Sequence, residues 1–154
     1  QNTITNDMRL FAREEDRAAL YTGLLTNKGK VMFDAIIAKP KLASQTDDDM
    51  EYWVDIHEQD STTFLKHMRK YSMRKNIKLE DISHVIKSFA IQTLVGVDSD
   101  PEGHYFSPLQ ESVEMFESEE FPGSLETDVC AFVDPRTASN GVRVLCAEES
   151  LEAE

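Results

Sequence analysis

A basic segment near the middle of the chain carries the side chains best suited to binding an anion. Residues 61–79 contain six Lys or Arg and no Asp or Glu. Lysine and arginine bind phosphate and carboxylate groups, arginine with two parallel hydrogen bonds. The spacing predicts a helix over residues 66–78 that could contact nucleic acid or an acidic protein. The cations that we expect to contact a partner are Lys66, Arg69, Lys70, Arg74 and Lys75.

The acids around this basic segment argue against nucleic acid. Residues 47–60 hold seven acids and no Lys or Arg. Residues 98–154 hold 15 acids and two bases, whereas residues 1–97 hold 14 of each, so the net charge of −13 comes from the C-terminal part. Binding to a polyanion needs a net positive surface. We therefore expect the basic helix to be neutralised by acidic segments of its own protein or by a protein partner.

A second group of charged residues matches the first half of a calcium-binding loop. Asp98, Asp100 and Glu102 offer oxygen ligands at alternate positions and precede Gly103, as in an EF-hand. The twelfth position of such a loop supplies a bidentate carboxylate, but here it is Leu109. The pattern is incomplete, so an ordinary acidic turn is favoured. We predict no metal and no cofactor.

The sequence offers no local set of catalytic residues. Cys130 or Cys146 could act as a nucleophile beside His84 or His104, but nothing near them in sequence supports this. The chain has no P-loop, no dinucleotide-binding glycine pattern and no nucleophile elbow. We therefore predict a protein that is not an enzyme, and an enzyme with a dispersed site is the alternative.

The two cysteines allow two structural interpretations. Cys130 and Cys146 lie at equal distances from Ala138, and a hairpin in that register would place them opposite each other. A disulfide could then join them. The favoured interpretation is a pair of small buried thiols in a reducing compartment.

Amphipathic spacing predicts helices along most of the chain. Apolar residues recur at three- and four-residue intervals in several segments. Predicted helices therefore cover residues 7–39, 47–60, 61–76, 80–96 and 107–121. For the first of these the competing interpretation is a β-hairpin that turns at Asn27–Gly29. The helix over 47–60 carries Trp53, which could dock into a groove on a partner, although tryptophan is more often a core residue.

Together these patterns predict a mainly α-helical single domain of five to six helices. The helical domain would span residues 1–118 with a linker at 39–47. An acidic C-terminal segment, 119–154, would form either a β-hairpin over 128–147 or an acidic tail. The predicted core comprises Phe11, Leu20, Leu24, Val31, Ile36, Trp53, Phe64, Met68, Ile82, Val85, Ile86 and Phe89.

The predicted function is a non-enzymatic protein–protein interaction or assembly module whose acidic C-terminal region meets a basic surface. The partner would be another protein or a second copy of the chain. One alternative is a nucleic-acid-associated viral or chromosomal structural protein that uses the basic helix, and another is an acidic nucleic-acid mimic. Because no signal peptide or apolar run of membrane-spanning length occurs, we expect an intracellular protein of the cytoplasm or nucleus.

Overall fold

The computed structural model of the chain describes residues 4–13, 17–40, 50–72, 77–92, 113–114 and 129–147. Within these ranges strands outweigh helices, and the predicted bundle of five to six helices is wrong. The predicted boundary at residue 118 lies outside the described residues. The elements are α1 (Leu10–Arg13), β1 (Ala19–Leu25), β2 (Val31–Ala38), β3 (Trp53–Asp55), α2 (Ser61–Ser72), β4 (Ile86–Ile91), β5 (Cys130–Val133) and β6 (Val142–Ala147).

Residues 17–40 form a hairpin in place of most of the first predicted helix. β1 and β2 pair antiparallel from Ala19 opposite Ala38 to Leu25 opposite Val31. In the turn, the backbone N–H of Thr26 donates to the carbonyl of Lys30 at 2.8 Å. Gly29 has a φ of 74°, a conformation that costs a glycine little. The competing prediction of a hairpin here is therefore confirmed.

Two more segments predicted as helices contain strands. β3 lies in the predicted acidic helix over 47–60 and pairs with the outer edge of β2. β4 lies in the predicted helix over 80–96 and pairs with β6. Helical spacing over so short a segment also fits a strand, and a partner strand decides between them.

Two three-stranded antiparallel sheets pack face to face. The strand order is β1-β2-β3 in sheet A and β4-β6-β5 in sheet B. The far side of sheet A is covered by α1 and α2 through Phe11 and Phe64. The far side of sheet B packs around Val113. The core between the sheets contains Ala19, Ile36, Ala38, Trp53, Cys130, Phe132 and Leu145.

Burial confirms about half of the predicted core. Met68, Ile82, Ile86 and Phe89 are only half-buried. Val31 and Val85 were wrongly predicted, since they remain 63% and 48% exposed; both were placed by helical spacing, and neither lies in a helix. The predicted core residues that are buried are Phe11, Leu20, Leu24, Ile36, Trp53 and Phe64.

The C-terminal hairpin is confirmed, but its register separates the cysteines. β5 and β6 pair so that Cys130 lies opposite Leu145. The predicted register had Cys130 opposite Cys146, and the observed one differs by a single residue. Cys146 therefore lies on the opposite face of the sheet from Cys130. Both cysteines are buried, and neither is in a disulfide. None of the helices in the described part of the chain is long and apolar enough to cross a membrane.

Candidate functional site

Helix α2 is fixed to sheet A along one side. Phe64 is buried and meets Phe33 edge-on, with 6.2 Å between the ring centroids. His67 Nε2 lies 3.1 Å from the carbonyl oxygen of Leu25, within hydrogen-bonding distance. Met68 packs against the same cluster. These contacts are spaced at three and four residues, so they define one side of the helix.

The opposite side of α2 carries three of the predicted anion-binding residues. Lys66, Arg69 and Lys70 are all exposed. With Thr62 and Leu65 they line a shallow groove that is largely open to solvent. We call these five residues the cationic face of α2. The other two predicted cations, Arg74 and Lys75, lie outside the described residues.

The cations of this face have no carboxylate partner in the described part of the chain. Neither an ion pair nor a hydrogen bond joins the side chains of Lys66, Arg69 or Lys70 to another described residue. Like charges three or four residues apart on a helix repel each other. The face is therefore a local concentration of positive charge on a protein of net charge −13. Cations elsewhere that do pair with a carboxylate include Arg9, Lys78, Arg136 and Arg143.

Trp53 lies in the core between the two sheets. It is only 5% exposed, and its indole Nε1 donates to Glu51 Oε1 at 2.7 Å. Its ring packs with residues of both sheets. The structure therefore gives this predicted partner-binding residue a packing role in the folded chain.

A network of charged side chains joins the two sheets at one end of their interface. Asp55, at the end of β3, accepts hydrogen bonds from Ser88 at 3.0 Å and from Arg143 Nη1 at 2.5 Å. Nη2 of Arg143 lies 3.4 Å from Asp134 Oδ2, and Asp134 also binds Arg136. We call Asp55, Ser88, Asp134, Arg136 and Arg143 the junction network.

Asp134 is the most buried ionisable residue of the junction network. It is 3% exposed and accepts hydrogen bonds from the backbone N–H and Nε of Arg136, each at 2.9 Å, and from its Nη2 at 2.6 Å. Burial alone would raise the pKa of Asp134. The hydrogen bonds and charge of Arg136, with the charge of Arg143, outweigh that effect and lower the pKa to about 2.

Sequence reasoning missed the junction network, although one signal was present. Arg136 and Arg143 are the two bases in the otherwise acidic stretch 98–154. Two bases in such a setting, one in the loop of the hairpin and one in the strand that follows it, indicate ion pairs with nearby acids. Their partner Asp55 lies 88 residues from Arg143 along the chain, so no local pattern could identify it.

The remaining candidate residues do not assemble into a metal site within the described ranges. No three His, Cys, Asp or Glu side chains there could together hold a metal ion. His57 accepts a hydrogen bond from the backbone N–H of Gln59 at the start of a short 3-10 helix. Burial raises the pKa of the Cys146 thiol, which disfavours the reactive thiolate. The calcium-loop candidates Asp98, Asp100 and Glu102 lie outside the described residues.

Two fungal proteins are similar to part of this chain. One, from Aspergillus fumigatus, is described as a mitochondrial homolog of the iron–sulfur cluster assembly factor IBA57. It is 35% identical over 79 residues, which is 49% of this chain and 17% of the relative. A protein of the same description from Neosartorya fischeri is 33% identical over 86 residues, 51% of this chain and 19% of the relative.

The match covers a small part of the relatives. The chain spans less than a fifth of the length of the curated relatives it matches. No protein-family model matches the chain, and no solved structure matches it with significance.

Proposed function

We propose that the chain forms part of an iron–sulfur cluster assembly factor and acts there by contacting other proteins rather than by catalysis. The observation that carries the proposal is the similarity of about half the chain to two fungal assembly factors. The iron–sulfur cluster is cargo in this proposal. It would be passed between proteins that this chain helps to bring together.

The geometry of the cysteines supports a contact role for the described part of the chain. Cys130 belongs to the core between the sheets, and Cys146 belongs to the core on the far side of sheet B. Two thiols that point to opposite faces of one sheet cannot bind the same iron atom. These are the two cysteines of the chain, so thiolates of partner proteins would hold the cluster.

The similarity also bears on location. Both relatives are described as mitochondrial, and we propose the same compartment for this chain. The earlier expectation of cytoplasm or nucleus came only from the lack of recognised targeting and membrane segments.

Exchange of the matching segment in a fungal relative tests the assembly role. The stretch of this chain that aligns with the Aspergillus fumigatus protein replaces its counterpart in a strain that lacks the native gene. We expect growth and the activities of mitochondrial iron–sulfur enzymes to recover, while mitochondrial enzymes without such clusters stay unchanged. The control exchange is a shuffled segment of identical composition, expressed at the same level. Equal failure of both exchanges would contradict the proposed function.

A further inference from the structure

We infer that the cationic face of α2 is a docking surface for an acidic segment of a partner protein. The inference rests on the proposed function only for the expectation that the protein works through protein partners. The surface and the chemistry of its partner are argued from the contacts and charges of α2 itself.

The cationic face is held in a fixed orientation. Phe64 and Met68 bury their side of the helix against sheet A, and His67 contacts the carbonyl of Leu25. Lys66 and Arg69 follow at helical positions that point away from this contact. A partner therefore meets cations on a helix that is already folded and packed, which lowers the entropy lost on binding.

The like charges of the cationic face repel each other and so destabilise α2 in the free protein. Lys66 lies three residues from Arg69 and four from Lys70, so their repulsion opposes helix formation. No acid occurs anywhere in α2, although the chain contains 29 acids. Carboxylates brought by a partner would relieve this repulsion, which gives the face electrostatic complementarity to an acidic segment.

The groove adds a requirement for apolar contact. Leu65, which also packs against the cluster around Phe64, lies at one edge of the groove. The methylene groups of the lysine and arginine side chains supply the rest of its apolar lining. A matching segment has carboxylates that reach Lys66, Arg69 and Lys70, and an apolar side chain between them that enters the groove. Arg69 can bind one of these carboxylates with two hydrogen bonds.

The same arrangement disfavours nucleic acid as the partner. A duplex carries one negative charge per ~1.7 Å, and the protein's net charge of −13 repels such a polymer. A short acidic segment brings few charges.

Fluorescence anisotropy with a labelled peptide tests the inference. The peptide has glutamates at helical spacing with leucines between them, and it is titrated with the full 154-residue chain at low and at physiological salt. The test variant is Lys66→Glu/Arg69→Glu/Lys70→Glu. The control variant, Arg13→Glu/Lys28→Glu/Lys30→Glu, makes the same change in net charge at exposed positions outside α2. Circular dichroism verifies that both variants remain folded.

We expect the unmodified chain to bind the peptide more weakly as salt increases. The α2 variant should lose about tenfold or more in affinity, because three exposed charge contacts are lost together. The affinity of the control variant should change by less than about threefold. Absence of binding by the unmodified chain, or equal losses in both variants, would overturn the inference. So would tighter binding of a DNA or RNA duplex that competes with the peptide at the same face. If the peptide binds as expected but the segment exchange fails, the assembly role is rejected and the docking surface stands.

Discussion

Replacement of Asp134 by Asn should destabilise the protein in a way that depends on pH. The carboxylate is almost completely buried and binds Arg136 through three hydrogen bonds, with Arg143 close by. Asparagine keeps the size of the side chain and one acceptor oxygen. It removes the negative charge and turns an NH₂ group toward guanidinium donors.

The size of the effect follows from the pKa of the carboxyl group. Folding lowers the pKa of Asp134 from 3.8 to about 2. Each pKa unit corresponds to about 1.4 kcal/mol, so the ionised form contributes roughly 2 kcal/mol to the free energy of unfolding. A pKa that is lower in the folded state stabilises the protein above the unfolded value. The contribution is therefore complete above about pH 5 and is lost progressively as the pH falls from 3.8 to about 2.

Urea denaturation of both proteins between pH 7 and pH 2 measures this contribution. At pH 7 we expect the variant to be less stable by about 2–4 kcal/mol, since breaking a buried pair leaves guanidinium groups uncompensated. The difference should shrink by about 2 kcal/mol toward pH 2 as Asp134 of the unmodified chain becomes protonated. Glu58→Gln, at an exposed carboxylate, should change stability by less than about 0.5 kcal/mol throughout. A difference for Asp134→Asn that stays constant with pH would refute the electrostatic reasoning.

Three further predictions concern the fold. Gly141→Ala should lower the stability by about 1–2 kcal/mol because of its φ of 75°. It should lower it further because the new Cβ would lie 2.1 Å from a backbone oxygen of β4. Gly29→Ala, with a φ of 74° and open space around it, should show only the cost of its φ in thermal unfolding. Phe64→Ala should cost about 3–5 kcal/mol in chemical denaturation, because it removes the ring that packs α2 on sheet A; equal stability would contradict that packing. Cys130 and Cys146 should react with a thiol reagent only after denaturation, and rapid modification of the native protein would show that one is accessible.

The parts of the fold that could be predicted are those determined by residues close together in the sequence. Helix α2 was predicted because its apolar residues alternate with cations over several turns, and it begins at the expected Ser61. The C-terminal hairpin was evident from two β-rich runs around a turn. The first hairpin was recognised only as an alternative, since Gly29 turns a segment whose apolar spacing also fits a helix.

Strands that pair with distant segments could not be predicted in the same way. The segment of β4 reads as an amphipathic helix when taken alone, yet Phe89 pairs with Val144 in β6. β3 is only three residues long and owes its conformation to the edge of β2. In both cases the deciding hydrogen bonds come from another part of the chain, which no local pattern contains.

The candidate sites also differ in whether their residues are close together in the sequence. The cationic face of α2 could be predicted because a helix brings residues three and four apart together, as with Lys66, Arg69 and Lys70. The junction network could not, because Asp55 and Arg143 meet only when the two sheets pack. Cys130 and Cys146 show how sensitive such inferences are to register, since a shift of one residue separates them.

The two candidate regions lie on opposite sides of sheet A, and this separates their roles. α2 packs on the face that carries Phe33, whereas Asp55 lies opposite Ile36 on the face that meets sheet B. Substitutions that are far apart and share no partner usually have additive effects. Asp134→Asn should therefore lower stability without changing the affinity of the folded protein for an acidic peptide. A loss of affinity in a fully folded Asp134→Asn variant would mean that sheet A couples the two regions, and α2 could then no longer be treated as an independent docking surface.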